Sequence, residues 1–190
     1  MADNRRVKLT KQMIKDAYLE LLEQYPSEKI SVTDICKAAD VNRSTFYMYY
    51  DDTVSLRQKI ENEVLEQLPG ASEEADPLVS QHQLLDTLER FFNYIRENQR
   101  LFRILLLQSD SKSFNNLLID TVLKKFHASE AAKNPTLRRY GYVYAVNGVI
   151  GMLSAWLEED FPISSRQFAE IAYNMSALST HIDEIDMTAH

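Results

Sequence analysis

The chain has 190 residues, 45% of them hydrophobic, and a formal net charge of −7. With only 4 glycines and 5 prolines it lacks the turn residues of a sheet protein, and its one cysteine, Cys36, excludes an internal disulfide. An all-α chain of one or two small domains is predicted, cytoplasmic because neither a signal segment nor a membrane-length apolar run is read in it.

Taken in order, Met1 to Lys8 is an arm bearing Arg5, Arg6 and Lys8. It suits phosphates or a minor groove, and equally a solvated tail. Thr10 is the predicted N-cap of a first helix. Its apolar stripe is Leu9, Met13, Ile14, Ala17, Tyr18, Leu21, Leu22 and Tyr25. Pro26 and Ser27 end it.

Ser31 to Tyr50 then reads as helix, tight turn, helix. Val32, Ile35, Cys36 and Ala39 recur at helical spacing, with Ser31 as N-cap and Asp34 closing a partial capping box. Asp40 breaks the pattern and Val41 plugs the turn. Asn42 caps the second helix, which turns Phe46 and Tyr50 to the core and Ser44 and Met48 away from it. Arg43, Ser44, Thr45 and Tyr47 are left outside or on the flanks. Those side chains suit duplex DNA, since Arg reads guanine and hydroxyls take phosphates or base edges. Asp51, Asp52 and Thr53 open a longer helix through Leu56, Ile60, Val64 and Leu65.

Leu68 to Ser80 holds two prolines, a glycine and three acids, and is the predicted linker. The reading is therefore three parts: residues 1–67, the linker 68–80, and a second helical domain over 81–190. Helices are predicted from His82 to Arg96, Leu101 to Leu107, Phe114 to Phe126, and Pro135 to about Glu158. A last helix, capped by Ser164 or Ser165, carries Phe168, Ile171, Ala172, Met175 and Leu178. In the long helix, Gly141, Ala145, Gly148, Met152 and Ala155 form a row of mostly small residues, which lets another helix approach closely.

From about Lys8 to Leu65 the chain resembles the DNA-binding domain of TetR-family transcription regulators. The likeness rests on Ile30 to Ile35, Ala38-Ala39-x-Val41, and Arg43-Ser44-Thr45-Phe46-Tyr47 with Tyr50 and Leu56. Gly148-x-x-Gly151 and Trp156-Leu157-Glu158 before Phe161-Pro162-Ile163 are also similar to a subgroup that includes a regulator of dihydroxyacetone kinase operons. The resemblance implies an N-terminal three-helix domain that binds an operator in double-stranded DNA through Arg43, Ser44, Thr45 and Tyr47, with Tyr49 and Thr53 at phosphates. It implies a homodimer built on the last two helices, through Gly141, Ala145, Gly148, Met152, Ala155, Phe168, Ile171 and Met175. It further implies a small-molecule effector of unknown class in the second domain. Phe91, Tyr94, Phe102, Tyr144 and Asn147 are the pocket candidates, and His127 could help orient a ligand.

Two positions depart from the family pattern. Thr53 stands where many members have a backbone-contacting Lys, and Asp40 where Gly is usual. From Arg5 to Arg57, nine Lys/Arg against eight Asp/Glu leave +1, and the remaining twelve against twenty leave −8. That modest charge keeps a second reading open, a co-regulator or anti-repressor that works through a protein partner. No metal, cofactor or catalytic motif is read from the sequence. Phosphate loop, nucleophile elbow and His-Glu-x-x-His are all missing, and His82, His127, His181 and His190 are scattered.

Overall fold

The computed structural model describes residues 2–69, 80–108, 112–126 and 135–180. Among these residues there are helices and no strand. In chain order the α-helices are α1 (Ala2–Leu22), α2 (Val32–Ala38), α3 (Arg43–Tyr47), α4 (Thr53–Gln67), α5 (Gln81–Glu97), α6 (Gln99–Leu107), α7 (Lys112–Phe126), α8 (Pro135–Glu158) and α9 (Ser165–Thr180). Residues 70–79 of the predicted linker, together with His127, His181 and His190, lie outside the described residues. None of the described helices is long and apolar enough to cross a membrane.

Local capping explains the boundaries. Ser31 and Asp34 form a complete capping box on α2, not a partial one, although Asp is shorter than the usual Glu. Asn42 caps α3, Asp52 with Ser55 caps α4, and Ser80 with Gln83 caps α5. Ser164, of the two candidates, caps α9 by accepting from Gln167 N at 3.2 Å. The start of α1 differs from expectation. Helix continues from Ala2 through the basic residues, and Thr10 is inside it, its hydroxyl donating to the Arg6 carbonyl at 3.0 Å. Nothing between residues 2 and 9 breaks a helix, so the expected arm is the first turns of α1. Its stripe is also shorter than predicted. Ile14, Ala17, Tyr18 and Leu22 are buried, whereas Leu9, Met13 and Tyr25 are exposed.

One continuous apolar core runs through both halves. Ile35, Phe46, Tyr50 and Leu56 anchor α2, α3 and α4 against Ile14 and Tyr18 of α1. Phe92, Ile95, Phe102, Leu105, Phe114, Leu153, Trp156 and Leu157 fill the second half. Polar ties join the halves. Arg100 of α6 pairs with Glu23 just after α1, and Gln108 donates to the Leu22 carbonyl at 2.6 Å. Tyr94 donates to Gln67 at 3.3 Å. On α4 the Arg57 guanidinium donates to Glu61 at 2.8 Å, both residues being buried, and Ser113 of α7 donates to the same Glu61 carboxylate at 3.5 Å.

The α8–α9 corner is tightly built. Asp160 and Phe161 take left-handed φ values of 57° and 59°. Trp156 Nε1 donates to the Ile163 carbonyl at 3.0 Å, and the Phe161 ring sits against Trp156 at 4.7 Å. The guanidinium groups of Arg96 and Arg103 lie over the Phe161 ring at 5.7 and 5.8 Å. Arg166 joins α9 to Asp86 and Glu89 of α5.

Candidate nucleic-acid interface and helical contact face

The short helix α3 is held from behind and open in front. Phe46 is 0% exposed and Tyr50 2%, with ring centroids 5.6 Å apart. Asp40 ends α2 with a φ of 50°, which sets the turn and hence the direction of α3. That is the left-handed geometry in which glycine is usual and aspartate is tolerated.

On the open side, Arg43, Ser44 and Tyr47 are exposed and Thr45 is half-buried. Asn42 organises them. Its Oδ1 accepts from the Thr45 backbone N–H at 2.8 Å, from the Thr45 hydroxyl at 2.8 Å and from the Ser44 hydroxyl at 2.6 Å. Arg43 donates to the Thr33 hydroxyl of α2, so its guanidinium is held across the motif. The six expected contact residues thus lie on α3, just after it, or at the first position of α4. Tyr49 is half-buried and Thr53 begins α4.

Two cations with no local motif to single them out join this rim. Lys11 of α1 lies over the Tyr49 ring at 5.4 Å. Lys59 lies over the Tyr50 ring at 5.0 Å and donates to the Tyr49 carbonyl at 2.6 Å. Both depend on how α1 and α4 pack beside α3, which has no local sequence signal. Of the two neighbouring carboxylates, Asp52 is occupied as a cap, accepting from Ser55 N at 2.7 Å. Asp51 is exposed.

A second surface lies on α8 and α9. Tyr140, Tyr144, Gly148, Gly151 and Ala155 are exposed and follow one another at spacings of three or four, so they share a face. Ile171 and Met175 of α9 are exposed as well, at 39% and 58%. This overlaps the expected dimer set without matching it. Gly148, Ala155, Ile171 and Met175 lie on the open face, and Ala145 and Met152 are half-buried. Gly141 is buried, and Phe168 is 3% exposed, stacked on Trp156 at 4.6 Å and against Phe92 at 4.6 Å. Phe168 therefore belongs to the core of the chain itself, because α9 turns it toward α5 and α8. Tyr140, Tyr144 and Gly151 stand on the open face instead.

The expected effector residues are not brought together. Tyr94 and Phe102 form a ring pair at 5.9 Å, and Phe102 meets Phe114 at 6.4 Å, inside the second half. Phe91 is half-buried beside Phe92. Tyr144 is 73% exposed, and Asn147, also exposed, donates to the Val143 carbonyl at 2.8 Å. These last two lie at the surface of α8, apart from the Tyr94–Phe102–Phe114 rings.

Residues 82–177, half of the chain, match the family described as "Transcriptional regulator C-terminal region" (TetR_C_8). The fold is shared with a TetR transcriptional regulator from Streptococcus agalactiae, at TM-score 0.65 and 21% identity, over 93% of this chain and 98% of that one. It is also shared with the dihydroxyacetone kinase operon activator DhaS, at TM-score 0.60 and 17% identity, over 91% and 97%. NalD, the secondary repressor of a multidrug efflux pump in Pseudomonas aeruginosa, aligns at TM-score 0.61 and 18% identity, over 91% and 97%. No curated protein matches the sequence.

Proposed function

Because the chain belongs to the TetR family of transcriptional regulators, we propose that it binds operator DNA as a homodimer, with an effector bound in the second domain controlling that binding. The observation that carries the reading is α3. Phe46 and Tyr50 fix it from within while Arg43, Ser44 and Tyr47 stand exposed on one side. A helix so braced suits a major groove, where Arg43 would take a guanine edge and Tyr49 and Thr53 would meet the backbone. Lys11 and Lys59 add positive charge to the rim that lacks the usual Lys at position 53.

Dimerisation is supported by α8. Its sequence is apolar on nearly every side, the pattern of a helix covered all round. Within one subunit a line from Tyr140 to Ala155 is left open. A second copy related by two-fold symmetry would cover it and would set two α3 helices about 34–36 Å apart, one turn of DNA. The effector would act from the Tyr94–Phe102 ring pair, with Phe91 beside Phe92 on the same helix α5. Tyr94 itself donates to Gln67, and Phe102 meets Phe114, the neighbour of the Ser113 that donates to Glu61; both hydrogen bonds join α4 to the second half. Such an effector shifts DNA affinity only if it binds two arrangements of α4 unequally.

The test is fluorescence anisotropy of the full-length protein on its own upstream DNA against scrambled duplex, over a salt series. Preference for the upstream DNA is expected, with log K falling steeply, by about 0.9 per phosphate neutralised, against log salt. No binding, or no preference, would move the assignment to a co-regulator acting through a protein partner, with exposed Asp51 and the missing Lys as its basis.

A further inference from the structure

Asn42 leaves a specific pattern on the reading face. The Thr45 backbone N–H can only donate, so the Asn42 atom it meets at 2.8 Å is the amide oxygen. That oxygen carries no proton. The Ser44 hydroxyl, 2.6 Å from the same atom, must therefore donate to it. With its one proton committed to Asn42, exposed Ser44 has only its two acceptor lone pairs left to offer a partner. A phosphate oxygen, itself an acceptor, is a poor partner for that arrangement. A base amino group is a good one.

One turn further on stands Met48. Its backbone N–H donates to the Ser44 carbonyl at 3.1 Å, which places the two side chains in one row. Met48 is 74% exposed, more than any other large apolar residue described in the chain. A thioether, only a weak acceptor, has little to offer the polar edge of a G·C pair. It does reward the 5-methyl group of thymine, the only apolar feature of the major-groove edge. The A·T pair alone shows both an amino donor and a methyl.

We propose that the Ser44–Met48 row reads A·T pairs, Ser44 accepting from the N6 amino group of adenine and Met48 packing on the thymine methyl. This rests on the DNA-binding reading above and adds Met48 to the residues that set sequence preference. Both side chains are exposed, so both can be truncated without disturbing the core.

The experiment starts by selecting duplexes from a randomised pool on the full-length protein. In a selected duplex each thymine is then replaced singly by deoxyuridine, which removes only the methyl. Each adenine is replaced by purine deoxyriboside, which removes only the N6 amino group. One thymine in each half-site is expected to lose about fourfold in affinity for the wild-type protein, the value of one buried methyl group. The same change should cost Met48→Ala nothing. A same or adjacent adenine should behave likewise with wild type and Ser44→Ala. A scan in which every thymine responds equally in wild type and Met48→Ala overturns the assignment while leaving DNA binding intact. Failure to select any duplex overturns the DNA-binding reading and this one with it.

Discussion

Two substitutions of the same glycines should have opposite effects if a second copy covers the α8–α9 face. In the single subunit, a Cβ added at Gly148 or Gly151 meets nothing within 4 Å. Both positions are exposed in the interior of a long helix, where glycine is about 0.8–1 kcal/mol worse than alanine. The Gly148→Ala, Gly151→Ala subunit should therefore gain roughly 2 kcal/mol, or about 4–8 °C in Tm for a chain of this size. Leucine at Gly148, an exposed position, would extend from that open Cβ into solvent in the isolated chain. In a close helix pair it would overpack by about 1–3 kcal/mol, and two-fold symmetry counts each site twice. The dimer should weaken by at least about 2 kcal/mol, roughly 30-fold in its dissociation constant. Sedimentation equilibrium reads the association, and thermal unfolding at high dilution reads the subunit. A Gly148→Leu protein with the wild-type dissociation constant would refute the reasoning, as would a wild-type protein that is monomeric at every concentration.

Other expectations follow from single residues. Arg43→Ala should cost about 1–3 kcal/mol in binding to a selected duplex by anisotropy, and unchanged affinity would remove Arg43 from the reading face. Asp40→Gly should raise stability by about 1 kcal/mol in urea unfolding, because glycine has no penalty at a φ of 50°. Glu61→Ala should lose about 3–5 kcal/mol, since it takes one member from a buried ion pair; a loss below 1 kcal/mol would mean that water replaces the carboxylate. Tyr50 is 2% exposed, and burial, helped by the negative charge of Glu63, pushes its hydroxyl up to about 12. The folded state thus disfavours the tyrosinate. The resulting stability is complete below the ordinary value near 10 and is lost as pH rises from there toward 12, roughly 2–3 kcal/mol in all. Tyr50→Phe should flatten this alkaline decline in a pH series of urea midpoints, and an equally steep decline would assign it elsewhere.

Helix boundaries were legible because they depend on residues three positions apart. Ser31 with Asp34 and Asn42 before Arg43 announce α2 and α3 without reference to the rest of the fold. The family resemblance was legible for the same reason. Facing was readable only where one side of a helix is clearly polar. In α3 the alternation of Phe46 and Tyr50 with Ser44 and Met48 decided it. In α8 apolar residues run all round, so periodicity could not say which line lay outward. Periodicity there does not separate buried Gly141 from exposed Tyr140 and Tyr144. Phe168 shares the α9 stripe with Ile171 and Met175, which face out, so the stripe alone does not tell its buried ring from theirs. Lys59 reaching Tyr49, or Arg100 reaching Glu23 from 77 residues away, depends on packing angles between helices. The effector candidates suffered most, because aromatic residues on three separate helices carry no sign of whether they converge.

The corner between α8 and α9 has a consequence for the kinetics of assembly. Left-handed backbone at both Asp160 and Phe161, the Trp156–Ile163 hydrogen bond and two guanidinium groups over one ring fix the angle between the helices inside each subunit. The helices that would meet a second copy therefore collide already aligned. Little ordering remains to be done at the encounter, so the association rate should sit in the ordinary range of rigid protein pairs, about 10⁵–10⁷ M⁻¹s⁻¹. Changes to the face itself would then act on the lifetime of the pair, whereas loosening the corner at Phe161 would slow its formation.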